Sequence, residues 1–301
     1  MRSRGSSSGA KHIPVLRREV LQALELQPGM SVVDGTVGAG GHSRDILERI
    51  GPTGLLIGID RDPMMLEFAR QKLVGDNVHL VQNSYAELES ILAQLGIAQV
   101  DRILLDLGLS SDQLADPQRG FGFDAPGSLD MRFDTSQGQP AWELLSKASE
   151  EELAAIFQEY GEERFARRIA QTIVQQRANK PIKTAADLVA VVHAALPANV
   201  VSHADKEPAT RVFQALRIVV NRELEQLEKA LDGVLYRCLN PGGRAVIISF
   251  HSLEDFRVKQ SFRNSEQWQI QTPKPVTATP AEARANPRSR TAKLRGAQKK
   301  P

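Results

Sequence analysis

The sequence predicts an α/β protein in which a parallel, doubly wound sheet is interrupted by a helical insertion. Short apolar runs alternate with helix-like segments through the first third of the chain, a rhythm typical of parallel strands covered on both faces. This rhythm stops after Ser111. Residues 112–139 are rich in Gly, Asp and Phe and show no clear periodicity, and several helix-like segments then follow from Trp142 to about Pro197. It returns with an apolar run over residues 244–250.

Each element follows from its local pattern. Apolar runs predict strands over residues 30–34, 55–60, 78–82, 100–107 and 244–250. Apolar residues at helical spacing predict helices over residues 43–50, 63–73, 88–95, 213–231 and 253–262. The stretch from Asn240 to Gly243, which contains Pro241, predicts a turn before the last strand.

The interruption divides the chain into parts. We expect residues 1–10 to form a flexible polar extension. Residues 11–112 and 214–301 should form a discontinuous core, and residues 113–213 a mainly helical insertion.

Composition indicates an ordinary cytoplasmic globular protein. Of the 301 residues, 41% are hydrophobic and 25% are charged, which argues against disorder, collagen and coiled coil. Cys238 is the one cysteine, so an intramolecular disulfide is excluded and a reducing compartment is favoured. The sequence has neither a signal-peptide pattern nor an apolar run of about 18 residues. The six histidines are scattered, so we expect no metal site.

The distribution of charge is more informative than its sum. The net charge of +2 gives no indication of nucleic-acid binding. Between Arg284 and Lys300, however, seven residues are Lys or Arg and none is Asp or Glu. This stretch is either a solvated, disordered tail or a basic arm that binds phosphates, and the sequence leaves both open.

Acidic residues stand at the ends of three predicted strands. Asp34 opens a glycine-rich turn that includes Gly38 and Gly40, and glycines let the backbone approach a ligand closely. Asp60 ends the next strand, where a carboxylate can accept both ribose hydroxyls of an adenosine group. Asp106 ends a third strand. Because the carboxyl ends of parallel strands meet at one edge, we expect these carboxylates to share one ligand site.

Two cofactor classes use such a turn. Dinucleotide-binding loops carry a third glycine or alanine where this chain has Ser43. Enzymes that use S-adenosylmethionine have a looser loop opened by an acidic residue, as Asp34 opens this one. A nicotinamide-dependent oxidoreductase, or a turn that only packs strand against helix, stays an alternative on these residues alone.

Nine stretches of the chain form a distinctive combination of motifs: DGTVGAGGHS (34–43), DRDP (60–63), DLGLSS (106–111), RGFGF (119–123), LDMR (129–132), YGEERF (160–165), ATRVFQALR (209–217), ISFHSLED (248–255) and NPRSR (286–290). Together they closely resemble the MraW family, the ribosomal RNA small subunit methyltransferase H family, and the resemblance covers residues 11–294.

The resemblance implies a Rossmann-like class I S-adenosylmethionine-dependent methyltransferase core with an inserted helical substrate-recognition domain. The implied reaction methylates the N4 amine of a cytidine in 16S rRNA, at the decoding centre of the small ribosomal subunit. The implied partners are that RNA and subunit, without a membrane or a metal. The oligomeric state stays open, with a homodimer among the alternatives, as does a non-catalytic RNA-binding assembly factor on the same fold.

The resemblance also implies a set of cofactor contacts. Gly40, Gly41 and His42 would surround the methionine group, Asp60 the ribose and Tyr85 the adenine. Tyr85 stands where other members can carry Phe, which keeps the ring. The same pocket would be completed by two further residues, Asp106 and Gln113; the residue patterns add Asp34 and Gly38.

The cytosine amine is a poor nucleophile, so a group that accepts its N–H would assist the reaction. Many amino methyltransferases place an Asp/Asn-Pro-Pro-aromatic segment at this strand end, whereas this chain has Asp106, Leu107, Gly108 and Leu109. We expect Asp106 to be the acceptor, unless it only holds the cofactor. His251 is the second candidate, unless it only bonds the neighbouring helix.

Six cationic or aromatic residues are candidate RNA contacts. Arginines hold phosphates and aromatic rings stack on exposed bases, which suits a base drawn out of the RNA. The alternative is that the rings form local core and that the last two arginines pair with neighbouring glutamates. The candidates are Arg119, Phe121, Phe123, Arg132, Arg211 and Arg217.

Overall fold

The computed structural model of the protein describes residues 14–204 and 207–301. The extension predicted over residues 1–10 lies outside the described residues. Within them, one sheet contains the strands β1 (Ser31–Asp34), β2 (Leu55–Asp60), β3 (Val78–Gln82), β4 (Val100–Asp106), β5 (Leu239–Ser249), β6 (Trp268–Ile270), β7 (Val276–Thr277) and β8 (Lys293–Lys299).

Helices flank the sheet and fill the insertion. Those that precede or follow the strands of the sheet are α1 (Arg17–Leu24), α2 (Gly41–Ile50), α3 (Pro63–Lys72), α4 (Leu88–Gln94), α12 (Glu223–Lys229), α13 (Leu235–Cys238), α14 (Ser252–Phe262) and α15 (Pro280–Ala285). Those between β4 and α12 are α5 (Ser111–Ala115), α6 (Ala141–Lys147), α7 (Glu150–Glu159), α8 (Ala166–Arg177), α9 (Ala185–Ala195), α10 (Ala198–Ser202) and α11 (Thr210–Asn221). Short 3-10 helices span Tyr85–Glu87 and Pro287–Thr291, and a π-helical turn spans Ala230–Val234.

The sheet has the strand order β3-β2-β1-β4-β5-β8-β6, with β7 paired to β8. The first five strands run parallel to one another, as the alternation of strand and helix predicts. The order reverses between β1 and β4, since β2 lies on one side of β1 and β4 on the other. A ligand crevice is expected outside the carboxyl ends of the strands at such a reversal.

Apolar residues cover both faces of the sheet. Along β4, Ile103 and Leu105 belong to one buried cluster, whereas Leu104 belongs to the cluster on the opposite face. The insertion has a third buried cluster of its own, which runs from Phe121 to Leu216 and is centred on α7, α8, α9 and α11. The two-sided burial explains why β4 is apolar at successive positions instead of alternating.

The basic C-terminal stretch is folded, so the alternative of a disordered tail is wrong. It enters the sheet as β8, antiparallel to β5, with Leu294 fully buried. Its basic side chains bind protein atoms: Arg295 pairs with Asp255 at 2.7 Å, and Lys299 donates to the Leu239 carbonyl at 2.7 Å. The sequence did not predict β6, β7 and β8, which pair antiparallel at one edge of the sheet.

The single helix predicted over residues 213–231 is also wrong. It breaks at Arg222, whose φ of 51° is left-handed, into α11 and α12. The Asn221 side chain explains the break, since it donates to the Met131 carbonyl and accepts from the Phe133 amide, each at 2.7 Å. A tertiary contact therefore outweighs the local helical pattern. The turn predicted over residues 240–243 is instead part of β5.

We expect Leu294→Ala to lower the free energy of unfolding by about 2–5 kcal/mol, because truncation of a buried leucine leaves a cavity. Ile270→Ala, at a 43% exposed position of β6, is the matched control and should cost less than about 1 kcal/mol. Urea unfolding followed by circular dichroism measures both. Equal, small effects of the two substitutions would show that β8 is not part of the folded sheet.

Candidate active site

An open cleft lies where the strand order reverses, at the carboxyl ends of β1, β2 and β4. It contains about 1080 Å³ of empty space, counting the solvent at its open mouth. Its lining brings together the three strand-end carboxylates, Asp34, Asp60 and Asp106. The helices and loops that follow these strands supply the rest of the wall, including residues of the insertion and of the C-terminal segment.

The glycine-rich turn after β1 forms the floor of the cleft. Gly35 lies so close to its neighbours that a Cβ there would be 2.4 Å from Leu105 Cδ2 and 2.9 Å from Tyr85 Cβ. Gly40 has a φ of 80° and directly precedes α2. Glycine is required at the first position for space and favoured at the second for its backbone conformation.

Asp60 is held by the backbone. Its Oδ2 accepts the Gly38 amide and its Oδ1 accepts the Asp62 amide, each at 2.9 Å. A carboxylate offers about four acceptor positions, so each oxygen can accept a further donor from the cleft. Burial raises the pKa of Asp60 to about 6, although the two backbone bonds oppose the rise.

Asp34 anchors the turn from beneath. It is 1% exposed and accepts the Ser43 hydroxyl at 2.7 Å and the Thr36 amide at 3.3 Å. Burial raises the pKa of Asp34, and the hydrogen bond from Ser43 counteracts this. The serine that departs from the dinucleotide-binding pattern thus satisfies a buried carboxyl group.

His42 and Asp106 face each other across the cleft floor. His42 Nε2 lies 3.6 Å from Asp106 Oδ2. In the described part of the chain, His42 Nε2 and Asp106 Oδ1 are two of the few buried side-chain atoms without a hydrogen-bond partner. Burial opposes protonation of His42, but Asp106 outweighs it, so the pKa of His42 is raised. Buried polar atoms of native proteins are almost always satisfied, so this pair indicates a polar ligand between or beside them.

Tyr85 forms a side wall at the start of the 3-10 helix that follows β3. It lines the cleft next to Gly35. Burial raises the pKa of its phenol, so the ring stays neutral. The flat face of such a ring can stack on a nucleobase.

Gln113 lines the cleft, yet both ends of its amide bind protein. Its Oε1 accepts the Ser110 amide at 2.9 Å and its Nε2 donates to Asp62 Oδ2 at 2.8 Å. Asp62, which is fully buried, also accepts Arg119 Nη2 at 2.8 Å. Gln113 thereby joins the loop after β4 to the loop after β2.

His251 lies behind the cleft wall. It precedes α14, where its Nδ1 accepts the Glu254 amide at 3.4 Å and its Nε2 is 3.2 Å from Glu254 Oε1. Glu254, not His251, lines the cleft. Burial opposes ionisation of Glu254, but His251 and Arg217 outweigh it and lower the pKa of this carboxyl.

The candidate RNA contacts in the loop after α5 are mostly held by protein contacts. Arg119 is 8% exposed, and besides Asp62 it donates to two backbone carbonyls of the same loop. Phe121 is 5% exposed. Phe123 packs edge-on against Phe213, and Arg132 forms a two-point ion pair with Asp130.

The two arginines of α11 differ. Arg211 is exposed and donates to the Glu162 carbonyl at 3.2 Å. Arg217 pairs with Glu223 through two contacts of 2.8 and 3.0 Å. Arg217 is therefore paired with a neighbouring glutamate, which is the alternative to RNA contact in the sequence analysis.

Sequence reasoning missed several residues of the cleft lining. Glu223 and Glu254 lie in patterns that read as ordinary helix, and Phe133 lies in the loop without periodicity. Arg61 donates to the Asn221 carbonyl at 2.5 Å. Arg288 was visible only as part of the C-terminal NPRSR motif. Among the described residues, no group of three or more His, Cys, Asp or Glu side chains could hold a metal ion, and no helix is long and apolar enough to span a membrane.

The profile of the MraW methylase family matches residues 9–300. The chain belongs to this family. It is 51% identical to the ribosomal RNA small subunit methyltransferase H of a Cyanothece species, over 96% of this chain and 94% of the relative. The proteins of the same name from Sorangium cellulosum and Nitratidesulfovibrio vulgaris are 49% and 46% identical, over 97% and 98% of this chain and 91% and 87% of their own lengths.

Membership of the MraW methylase family confirms the resemblance described above. It also confirms the predicted fold class, a Rossmann-like class I methyltransferase core. The enzyme class is methyltransferase and the methyl donor is S-adenosyl-L-methionine, so a nicotinamide-dependent oxidoreductase is not favoured. The cleft fits this donor. Asp60 can accept two more donors, and the unpartnered Nε2 of His42 can bind a polar group of the cofactor.

We expect the affinity for S-adenosylhomocysteine to fall as the pH falls through about 6. Asp60 in the ligand-free protein takes up a proton near that pH, and ribose hydroxyls need the ionised carboxylate, so binding must release the proton. Asp60→Asn should weaken binding by about 10- to 100-fold at pH 8 and remove most of this pH dependence.

Titration calorimetry between pH 5 and pH 8 measures both effects. Asp76→Asn, at an exposed position between α3 and β3, is the control. An unchanged pH dependence in the Asp60 variant would exclude Asp60 as the titrating ligand.

Proposed function

We propose that the protein transfers a methyl group from S-adenosylmethionine to the N4 amine of a cytidine in 16S rRNA, at the decoding centre of the small ribosomal subunit. The relatives named ribosomal RNA small subunit methyltransferase H, 46–51% identical over nearly the whole chain, support this substrate. The structural observation that carries the proposal is the unpartnered Oδ1 of Asp106, at the end of β4 in the cleft.

The cofactor would lie across the floor of the cleft. Asp60 would accept the ribose hydroxyls, and Tyr85 would stack on the adenine. The turn at Gly40 and Gly41 leads into the first turn of α2, where His42 Nε2 would bind the methionine group. Bound in this way, S-adenosylmethionine supplies an electrophilic methyl group on a positively charged sulfur.

Other predicted cofactor residues would act by shaping the site. Asp34 holds the turn through Ser43 and Thr36. Gly38 donates its amide to Asp60, and Gln113 fixes the loop after β4. Their contacts orient the groups that touch the cofactor and keep the cleft open to it.

Asp106 would act on the incoming amine. The lone pair of a cytosine amine is delocalised into the ring, so a carboxylate that accepts its N–H localises that pair and then takes the proton. The Thr36 hydroxyl accepts the Asp106 backbone amide at 2.6 Å, which fixes the end of β4. His251, behind Glu254, would position the wall.

The inserted domain, residues 113–213, would present the RNA. The side chains of Arg132 and Arg211 are at least partly exposed and would contact phosphates of the RNA. Arg119 and Phe121 are buried and would stabilise the loop after α5. Phe123 and Arg217, both packed or paired, would support the wall where the base enters.

The direct test uses small ribosomal subunits from cells that lack the enzyme. Incubation with the protein and labelled S-adenosylmethionine should place the label in N4-methylcytidine of 16S rRNA, identified by mass. Label in another nucleoside would overturn the target atom. Tight binding of the subunit without any label would favour a non-catalytic assembly factor.

We expect Asp106→Asn to lower kcat by about 100- to 10,000-fold, because an amide cannot take the proton of the amine. The affinity for S-adenosylhomocysteine should change by less than about 3-fold, since the shape of the side chain is kept. Asp76→Asn serves again as the control for charge removal. A loss of cofactor binding as large as the loss of kcat would instead make Asp106 a cofactor ligand only.

A further inference from the structure

Arg288 lines the same cleft as Asp106, although 182 positions separate the two residues in the sequence. We propose that Arg288 binds a phosphate of the RNA beside the target nucleotide and so positions that nucleotide for methyl transfer. The inference deepens the proposed function and rests on it. It gives the C-terminal segment a part in substrate binding that its sequence pattern alone does not specify.

Arg288 lies in the part of the cleft near Asp106, where the amine of the substrate would be. Its Nη1 donates to the Ser111 hydroxyl at 2.8 Å, and Ser111 begins α5 shortly after the end of β4. Asp106 and Asp112 are the carboxylates that attract its charge most. With the bond to Ser111, this places the guanidinium near the end of β4, where Asp106 would meet the amine.

The segment that presents Arg288 is anchored on both sides. Its neighbour Ser289 is fully buried, and Ala292 is 1% exposed. Before it, Glu282 of α15 accepts the Leu16 amide at 2.7 Å. After it, β8 is paired along its length with β5. Because its backbone is fixed and its Nη1 is bonded to Ser111, the Arg288 side chain loses less freedom on binding a ligand than a mobile arginine would.

The charge of the cleft explains why a cation is needed there. The lining contains six carboxyl groups: Asp34, Asp60, Asp106, Asp112, Glu223 and Glu254. A polynucleotide brings a phosphate on each side of the reacting base, and these carboxylates would repel it. The other arginine of the lining, Arg61, is bound to the Asn221 carbonyl and lies over the ring of Phe133.

Arginine suits the task chemically. Its planar fork matches two oxygens of one phosphate, and it stays charged when partly buried. Burial lowers the pKa of Arg288, and attraction to Asp106 and Asp112 opposes this. A phosphate that arrives with the substrate would add a strong acceptor for the guanidinium in the substrate-bound state.

The test compares Arg288→Gln and Arg288→Lys with Arg290→Gln. Arg290 belongs to the same short helix but is exposed, does not line the cleft, and donates only to the Ala283 carbonyl among its described contacts. Binding of small ribosomal subunits that lack the modification is measured with S-adenosylhomocysteine present, between about 50 and 200 mM salt. Values of KM and kcat, cofactor affinity and melting temperature are measured for each variant.

We expect Arg288→Gln to raise the Kd and the KM for subunits by about 10- to 100-fold. The slope of log Kd against log salt concentration should fall by about 1, which corresponds to the loss of one phosphate contact. Cofactor affinity should stay within about 2-fold of the parent. Arg288→Lys should restore part of the affinity and keep the slope, and Arg290→Gln should match the parent protein.

Three results would overturn the proposal. Cofactor affinity that falls as much as subunit affinity would make Arg288 a ligand of the cofactor carboxylate. A lower kcat with unchanged KM and salt slope would mean that Arg288 acts only on Asp106. If Arg288→Gln and Arg290→Gln gave the same Kd, KM and salt slope for subunits, Arg288 would have no specific role in the cleft. Failure of the proposed function is separate, because the parent protein would then bind subunits without methylating them.

Discussion

The architecture depends on one buried carboxylate, Asp62. Its Oδ1 accepts the Met64 amide at the start of α3, and its Oδ2 accepts Gln113 and Arg119. A fully buried charge is tolerated only when it is paired and fully hydrogen-bonded, and Asp62 meets both conditions. It thus fixes the loop after β2, the loop after β4 and the entrance of the insertion relative to one another.

The contacts of Asp62 also determine where the side chains of the cleft lie. Asp60 is two residues before Asp62 and accepts its amide, so the carboxylate proposed to bind the ribose is held by the same loop as Asp62. Arg119 also holds the Phe133 carbonyl, and the Phe133 amide is bound by Asn221 at the end of α11. The cleft is therefore bounded by three stretches of chain that are far apart in sequence, and their alignment depends on polar contacts instead of apolar packing alone.

The parts of the fold that the sequence could predict are those governed by local pattern. The apolar runs locate β1 to β4, and the acidic residues at their ends locate the cleft, because both follow from strand geometry. The break at Arg222 and the pairing of β8 could not be predicted, since each depends on partners far along the chain, such as Met131 for the Asn221 side chain. For the same reason the sequence did not distinguish a buried Arg119 from an exposed one, or place Arg288 in the cleft.

The long interval between β4 and β5 affects how the protein is made. The four strands that precede the insertion form a sheet whose edge, β4, carries an apolar run from Ile103 to Leu105. Its partner β5 emerges only after the insertion and two further helices, roughly 7 to 27 seconds later at about 5–20 residues per second. During synthesis an unpaired apolar edge is thus exposed beside the nascent chain, and such edges pair readily with other chains. The insertion has its own buried cluster. Its early folding would shield the edge of β4 until β5 has been synthesised and would bring β5 close to that edge.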